Sequence, residues 1–193
     1  MKQSSDFKAI DKELSIKLFQ NEKGKPKAVL QLINNIRKIL SKTLEFDTRL
    51  NPRNVIVYPI LVLHYRIFNT AGLNKWVNFW FHEELEKIKK EGFDISRIRP
   101  LVLIDIDTLI FNKDVFSKRK LSLEEALIDY QENYLNFSVK GKKYNNQDEA
   151  TQAQKNSLIP YGEFLDDLVD SKGLRTIPEE FKEKAYAMFN RDN

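Results

Sequence analysis

The 193 residues contain no cysteine, which excludes disulfides, zinc-thiolate centres and cysteine nucleophiles at once. A cytoplasmic setting is the expectation that fits. The start, MKQSSDFKAIDKEL, lacks the apolar core of a secretory signal, and no hydrophobic run reaches membrane-spanning length. No membrane partner is expected. A phosphate-binding glycine loop, a dinucleotide fingerprint and a serine-elbow motif are also missing. The two histidines, His64 and His82, fall on different elements without a clear ligand partner, so both read as ordinary structural or surface residues. There is no internal repeat.

Charge of one sign is scarce too: 32 Lys and Arg against 28 Asp and Glu leave a net +4. That excess permits nucleic-acid binding without demanding it. The densest cationic runs are SKRK at 117–120 and VKGKK at 139–143, where Lys140, Lys142 and Lys143 are candidate phosphate contacts. What is present in quantity is a globular mixture, 41% hydrophobic and 31% charged, enough for one well-packed core.

Residues 6–10 and 14–19 alternate apolar and polar around a charged DKE, the pattern of a hairpin. Beyond the NEKGK loop, Val29, Leu32, Ile33, Ile36 and Leu40 predict a helix over 26–42, opened by Pro26. VIVYPILVLHY reads as a buried strand that starts at or just after Pro59, because proline has no N–H to donate to a ladder. Leu73, Trp76, Val77, Trp80, Leu85 and Ile88 trace a helix ended by Gly92, and RPLVLIDIDT gives a second buried strand at about 100–106. Strands joined by helical crossovers run parallel, so the class is α/β, a mixed sheet flanked by helices. Further helices are predicted at 108–117, at 122–136 behind a Ser122/Glu125 capping box, at 160–171, and at 177–190 behind Thr176 and Glu179. The expected organisation is a core over 1–137, a polar loop or linker over 138–158, and a C-terminal helical appendage over 159–193.

On period two, Glu13, Ser15 and Lys17 share one strand face, with Asp6 on the partner strand. Carboxylates that hold a divalent ion beside a lysine suit phosphodiester cleavage. DFKAI, LSIKLF, the helix GKPKAVLQL and the strand PILVL together resemble the C-terminal part of the PD-(D/E)XK nuclease core. That resemblance implies a three-layer, restriction-endonuclease-like fold, with Asp6 as metal ligand, Lys17 and Gln31 as catalytic residues, and the Ile16 carbonyl completing the shell of a magnesium or manganese ion. Ser15 stands where the family has its Glu, and Glu13 is a replacement ligand to consider. The function implied is a nuclease-like protein acting on or binding DNA or RNA. The alternative is a non-catalytic nucleic-acid or protein interaction module.

LVLIDIDTLI carries a second pattern, an apolar strand followed by Asp-x-Asp. It resembles the opening of haloacid-dehalogenase-like phosphohydrolases, which implies Asp105 as nucleophile, Asp107 as general acid/base and magnesium as partner. This ranks below both other readings, since Leu109 stands where that family has a Thr. Otherwise the two acids close a strand, with Asp107 placed to cap the next helix. Trp76, Phe79, Trp80 and Phe81 read as core at helical spacing ahead of a stacking surface for bases, or as a partner interface if Phe79 and Phe81 are exposed beside Trp76.

Overall fold

The computed structural model describes residues 7–44, 51–64, 69–135, 146–175 and 181–183. The protein is mixed α/β and mostly helical, with one two-stranded parallel sheet. Two compact units make up the chain: Met1–Leu61 with Lys75–Leu101, and Val62–Asn74 with Val102–Asn193. These divisions run elsewhere than the expected boundaries at 137 and 158.

The first element corrects the predicted hairpin: Phe7–Leu18 is a single helix, α1. The pattern of Ile10, Leu14 and Leu18 satisfies a helical stripe as well as a strand, and DKE offers no Gly or Asn for a two-residue turn. Lys and Glu are good helix formers. Glu13 and Lys17 pair at 2.7 Å in the favoured i,i+4 orientation, and Leu18 is the buried end of the stripe. The NEKGK turn is organised by Asn21, whose Oδ1 accepts from the Lys23 and Lys25 N–H groups. Helix α2, Ala28–Leu40, buries Val29, Ile33 and Ile36, the stripe read from the sequence.

Val57 and Ile98 form an isolated parallel bridge, and strand β1, Ile60–Leu63, begins directly after Pro59. Proline at that position interrupts the ladder as expected. Helix α3, Leu73–Lys90, ends in a turn where the Phe93 N–H donates to the Ile88 carbonyl and Gly92 takes φ +94°, a conformation that favours glycine. On α3, Phe81 is 1% exposed and Phe79 is 59% exposed, so only one side of the helix is deeply buried.

Strand β2, Val102–Asp105, is buried at every residue and pairs with β1. Asn side chains take the 101 and 103 amides, which lie just before and within β2. Asn78 Oδ1 accepts from the Leu101 N–H and Asn74 Oδ1 from the Leu103 N–H, both at 2.8 Å. Residues 74 and 78 lie one helical turn apart and amides 101 and 103 one strand period apart, so two Asn side chains occupy donors that a further strand would need. Within the described residues the sheet therefore stops at two strands.

The second unit continues with α4, Ile106–Phe111, and α5, Lys113–Ser117, where a single helix is predicted. The break falls at buried Asn112, whose Nδ2 donates to the Thr108 carbonyl. Helix α6, Leu123–Tyr130, is capped by Ser122 as the sequence indicates, then widens into a π-turn at Gln131–Leu135. Helix α7, Gln147–Asn156, corrects the predicted polar loop. Asn146 caps it, accepting from the Glu149 N–H at 2.8 Å, but α7 buries no residue and so carries no apolar stripe to read. Helix α8, Tyr161–Ser171, buries Tyr161, Phe164, Leu165 and Val169. Tyr130, Tyr134, Tyr161 and Phe164 form one aromatic cluster, and the Tyr130 hydroxyl donates to the Ile159 carbonyl at 2.8 Å. Burial pushes the Tyr130 and Tyr161 phenols well above their ordinary value. Of the predicted closing helix at 177–190, only residues 181–183 are described.

Candidate functional site

Among the described residues, those expected to form a metal site are not assembled as one. Asp6, Lys140, Lys142 and Lys143 lie outside the described residues. Lys17, Ser15, Ile16 and Glu13 all lie on α1, where about 100° separates successive side chains. Glu13 and Ser15 therefore point to opposite sides rather than to one strand face. The Glu13 carboxylate accepts a hydrogen bond from Lys17, and this, with the attraction of the ammonium, holds its pKa below the usual range. Gln31 is exposed on α2, its Nε2 donating to the Pro26 carbonyl at 3.4 Å. Among the described residues no group of three or more His, Asp or Glu side chains is placed to hold a metal ion. The α1 residues do not fit a divalent ion: one carboxylate already binds an amine, and a neutral hydroxyl faces away from it.

Asp105 sits where the second motif requires, at the end of a buried parallel strand. Its carboxylate is engaged locally, Oδ1 accepting from the Thr108 N–H at 3.0 Å and Oδ2 from the Thr108 hydroxyl at 2.6 Å. Asp105, not Asp107, is thus the N-cap of α4. The first turn of α8 presses against this pair. A Cβ on Gly162 would lie 2.6 Å from Thr108 Oγ1, 3.0 Å from Asn69 Nδ2 and 3.1 Å from Asp105 Oδ2. Glycine is needed there for close approach, and the positive end of the α8 dipole favours the buried carboxylate. The hollow beside it, lined by Asn69, Asp107, Thr108, Phe111 and Asp166 among others, measures only about 40 Å³. A water fits; a phosphate ester does not.

The first unit carries a larger opening that the sequence reading missed. A groove of about 490 Å³ runs between the end of α2, the 3₁₀ turn Pro52–Asn54 and the loop after α3. Ile39, Leu40, Val55, Val57, Phe93 and Ile98 give it apolar walls, while Lys42, Arg53, Arg97 and Asp94 are its charged members. All four charged residues are exposed. Local turns set their positions: Asn51 Oδ1 accepts from the Arg53 N–H at 3.1 Å, and Asp94 Oδ1 from the Ser96 N–H at 2.9 Å. The Ser96 N–H and hydroxyl hold the Asp94 carboxyl below its ordinary pKa, with Arg97 and Arg53 adding to the effect. Arg37 bonds Glu91 at 2.8 Å, tying α2 to the loop after α3. The signal was present in the sequence as Asn51-Pro52-Arg53 and Asp94-x-Ser96-Arg97, two side-chain-capped turns each carrying an arginine. Neither forms a run of cations, so composition alone passed over them.

In SKRK, Lys118 pairs with Asp114 at 3.0 Å, and His82 lies exposed 4.0 Å from Glu86. Among the described residues no helix is long and apolar enough to cross a membrane. The fold and groove define an α/β protein with an amphipathic, cation-rimmed cleft. No family model, curated protein or solved structure matches the chain.

Proposed function

We propose that the protein is a non-catalytic nucleic-acid-binding module that uses the groove of its first unit without a metal ion. The observation that carries this reading is the conjunction of exposed Lys42, Arg53 and Arg97 with an apolar-walled groove of about 490 Å³. Cations supply phosphate contacts, and apolar or aromatic surface receives bases. Ligand clefts generally fall in this size range.

The nuclease reading, with its three-layer core and a magnesium or manganese ion at Asp6, rests on a strand face. Helical α1 removes that face, and Lys17 binds Glu13 instead. The phosphohydrolase reading needs a free Asp105, whereas both of its oxygens accept from Thr108.

The test is fluorescence anisotropy of a labelled oligonucleotide titrated with the full chain in the presence of a chelator. Salt-sensitive binding persists without metal, falls at least several-fold in Arg53→Ala and in Arg97→Ala, and is unchanged in Lys17→Ala. Magnesium-dependent cleavage lost in Lys17→Ala would overturn the proposal in favour of a nuclease.

A further inference from the structure

We infer that the groove accepts one unpaired nucleotide at a time, its base against the Phe93 side and its phosphodiester at Arg53 and Arg97, so that the protein selects single strands and frayed ends over intact duplex. This rests on the proposed function above and narrows its ligand.

Charge is the first argument. Among the described lining residues, three cations accompany one carboxylate, Asp94. Helices α2 and α3 both end at the groove, since Leu40 and Lys42 line it from one and Gly92 and Phe93 from the other. Each helix end brings roughly half a negative charge. The last carbonyls are largely capped by backbone amides, as where Lys42 and Thr43 donate to Ile39 and Lys38, and Gly92 to Lys89. What remains among these groups is an excess of about one to two positive charges, the complement of one or two phosphodiesters rather than of a long polyanion. A duplex-binding face would instead spread cations over a surface.

Shape and chemistry agree with that count. The volume is of the order needed for a nucleotide, and apolar walls suit the exposed face of an unpaired base. Phe93 is half-buried, so it offers part of its side chain to a ligand while held by its neighbours. Base stacking on such a ring is tolerant of sequence, and little discrimination among bases is expected. Asp94 faces the same groove as both arginines. It opposes the phosphate and limits affinity.

The experiment compares, with the full chain, a labelled oligothymidylate, a blunt duplex of equal length, heparin and polyglutamate. Expected is at least tenfold preference for the single strand, with weak competition by heparin and polyglutamate. The salt slope should be shallow, no steeper than about 2 for three cations on a single strand. Phe93→Leu, which keeps the apolar bulk, weakens single-strand binding roughly tenfold, the scale of one lost stack. The circular-dichroism spectrum of Phe93→Leu stays that of the parent chain. Asp94→Asn tightens binding several-fold. Duplex binding equal to or tighter than single-strand binding would overturn this inference and leave the nucleic-acid reading standing. Competition by heparin or polyglutamate at parity with the oligonucleotide would also overturn it, by showing a site for any polyanion. Absence of binding to every nucleic acid would remove both.

Discussion

In the second unit the chemically suggestive acid, Asp105, accepts two hydrogen bonds from Thr108 and lies beneath the first turn of α8. In the first unit Arg53 and Arg97 stand exposed at a groove of about 490 Å³. Both clusters are positioned by short capped turns, yet in one the carboxylate is buried and bonded to Thr108, whereas in the other the arginines are exposed beside Asp94. The difference separates a buried, internally bonded cluster from an exposed one. A carboxylate whose lone pairs serve a helix cap and whose surroundings admit no side chain at residue 162 is a structural anchor. On the proposed function, exposed cations beside capped turns are the groups a ligand meets.

Three perturbations sharpen that contrast. The largest effect is expected from Gly162→Val, which forces atoms into the space held by Thr108, Asn69 and Asp105. Overpacking of this kind costs roughly 1–3 kcal/mol or more, seen as a lower denaturation midpoint, while oligonucleotide affinity below that midpoint stays within about twofold of the parent. A loss of affinity without a loss of stability would break the comparison, because it would make the Asp105 region part of the binding site.

Alkaline pH comes next. Tyr130 and Tyr161 hold their protons in the fold beyond their ordinary range, whereas the unfolded chain releases them near pH 10. Above that pH the unfolded state binds fewer protons, so stability falls as pH rises, by at most about 1.4 kcal/mol per pH unit for each tyrosine. Below it their contribution is intact. Tyrosinate absorbance from these two groups should therefore rise together with the loss of helical circular dichroism. A rise that precedes unfolding would show the aromatic cluster to be open.

The smallest effect is expected from Asp105→Asn. The amide oxygen can still accept from the Thr108 N–H, and the cost should be about 1 kcal/mol or less, within the range of an altered helix cap. Binding of oligonucleotide is unaffected. Loss of turnover of a small phosphate ester in this variant would instead assign Asp105 a chemical role.

Much of the helical framework was legible. The stripes of α2 and α8, the Ser122 cap, the end of α3 at Gly92 and the start of β1 after Pro59 all follow from local pattern. The opening segment was not, because DFKAIDKELSIKLF satisfies periods of two and of 3.6 alike, and the Glu13–Lys17 pair exists only once the helix has formed. The polar helix α7 was hidden for the opposite reason, since a helix that buries nothing leaves no hydrophobic period. The candidate groove was not legible because its cations come from positions 42, 53 and 97, distant in sequence and undistinguished one by one.

By itself the sequence determined the exclusions that follow from having no cysteine, the α/β class, the positions of most helices and the placement of the two parallel strands. Those depend on residue chemistry and on periods a few residues long. Only the tertiary structure decided that Asn74 and Asn78 would take the Leu103 and Leu101 amides, that Gly162 would pack against Asp105, and that three separate cations would share one groove. Each of these joins residues far apart in the chain, where the free energy comes from packing and hydrogen bonding between elements and no local pattern records it.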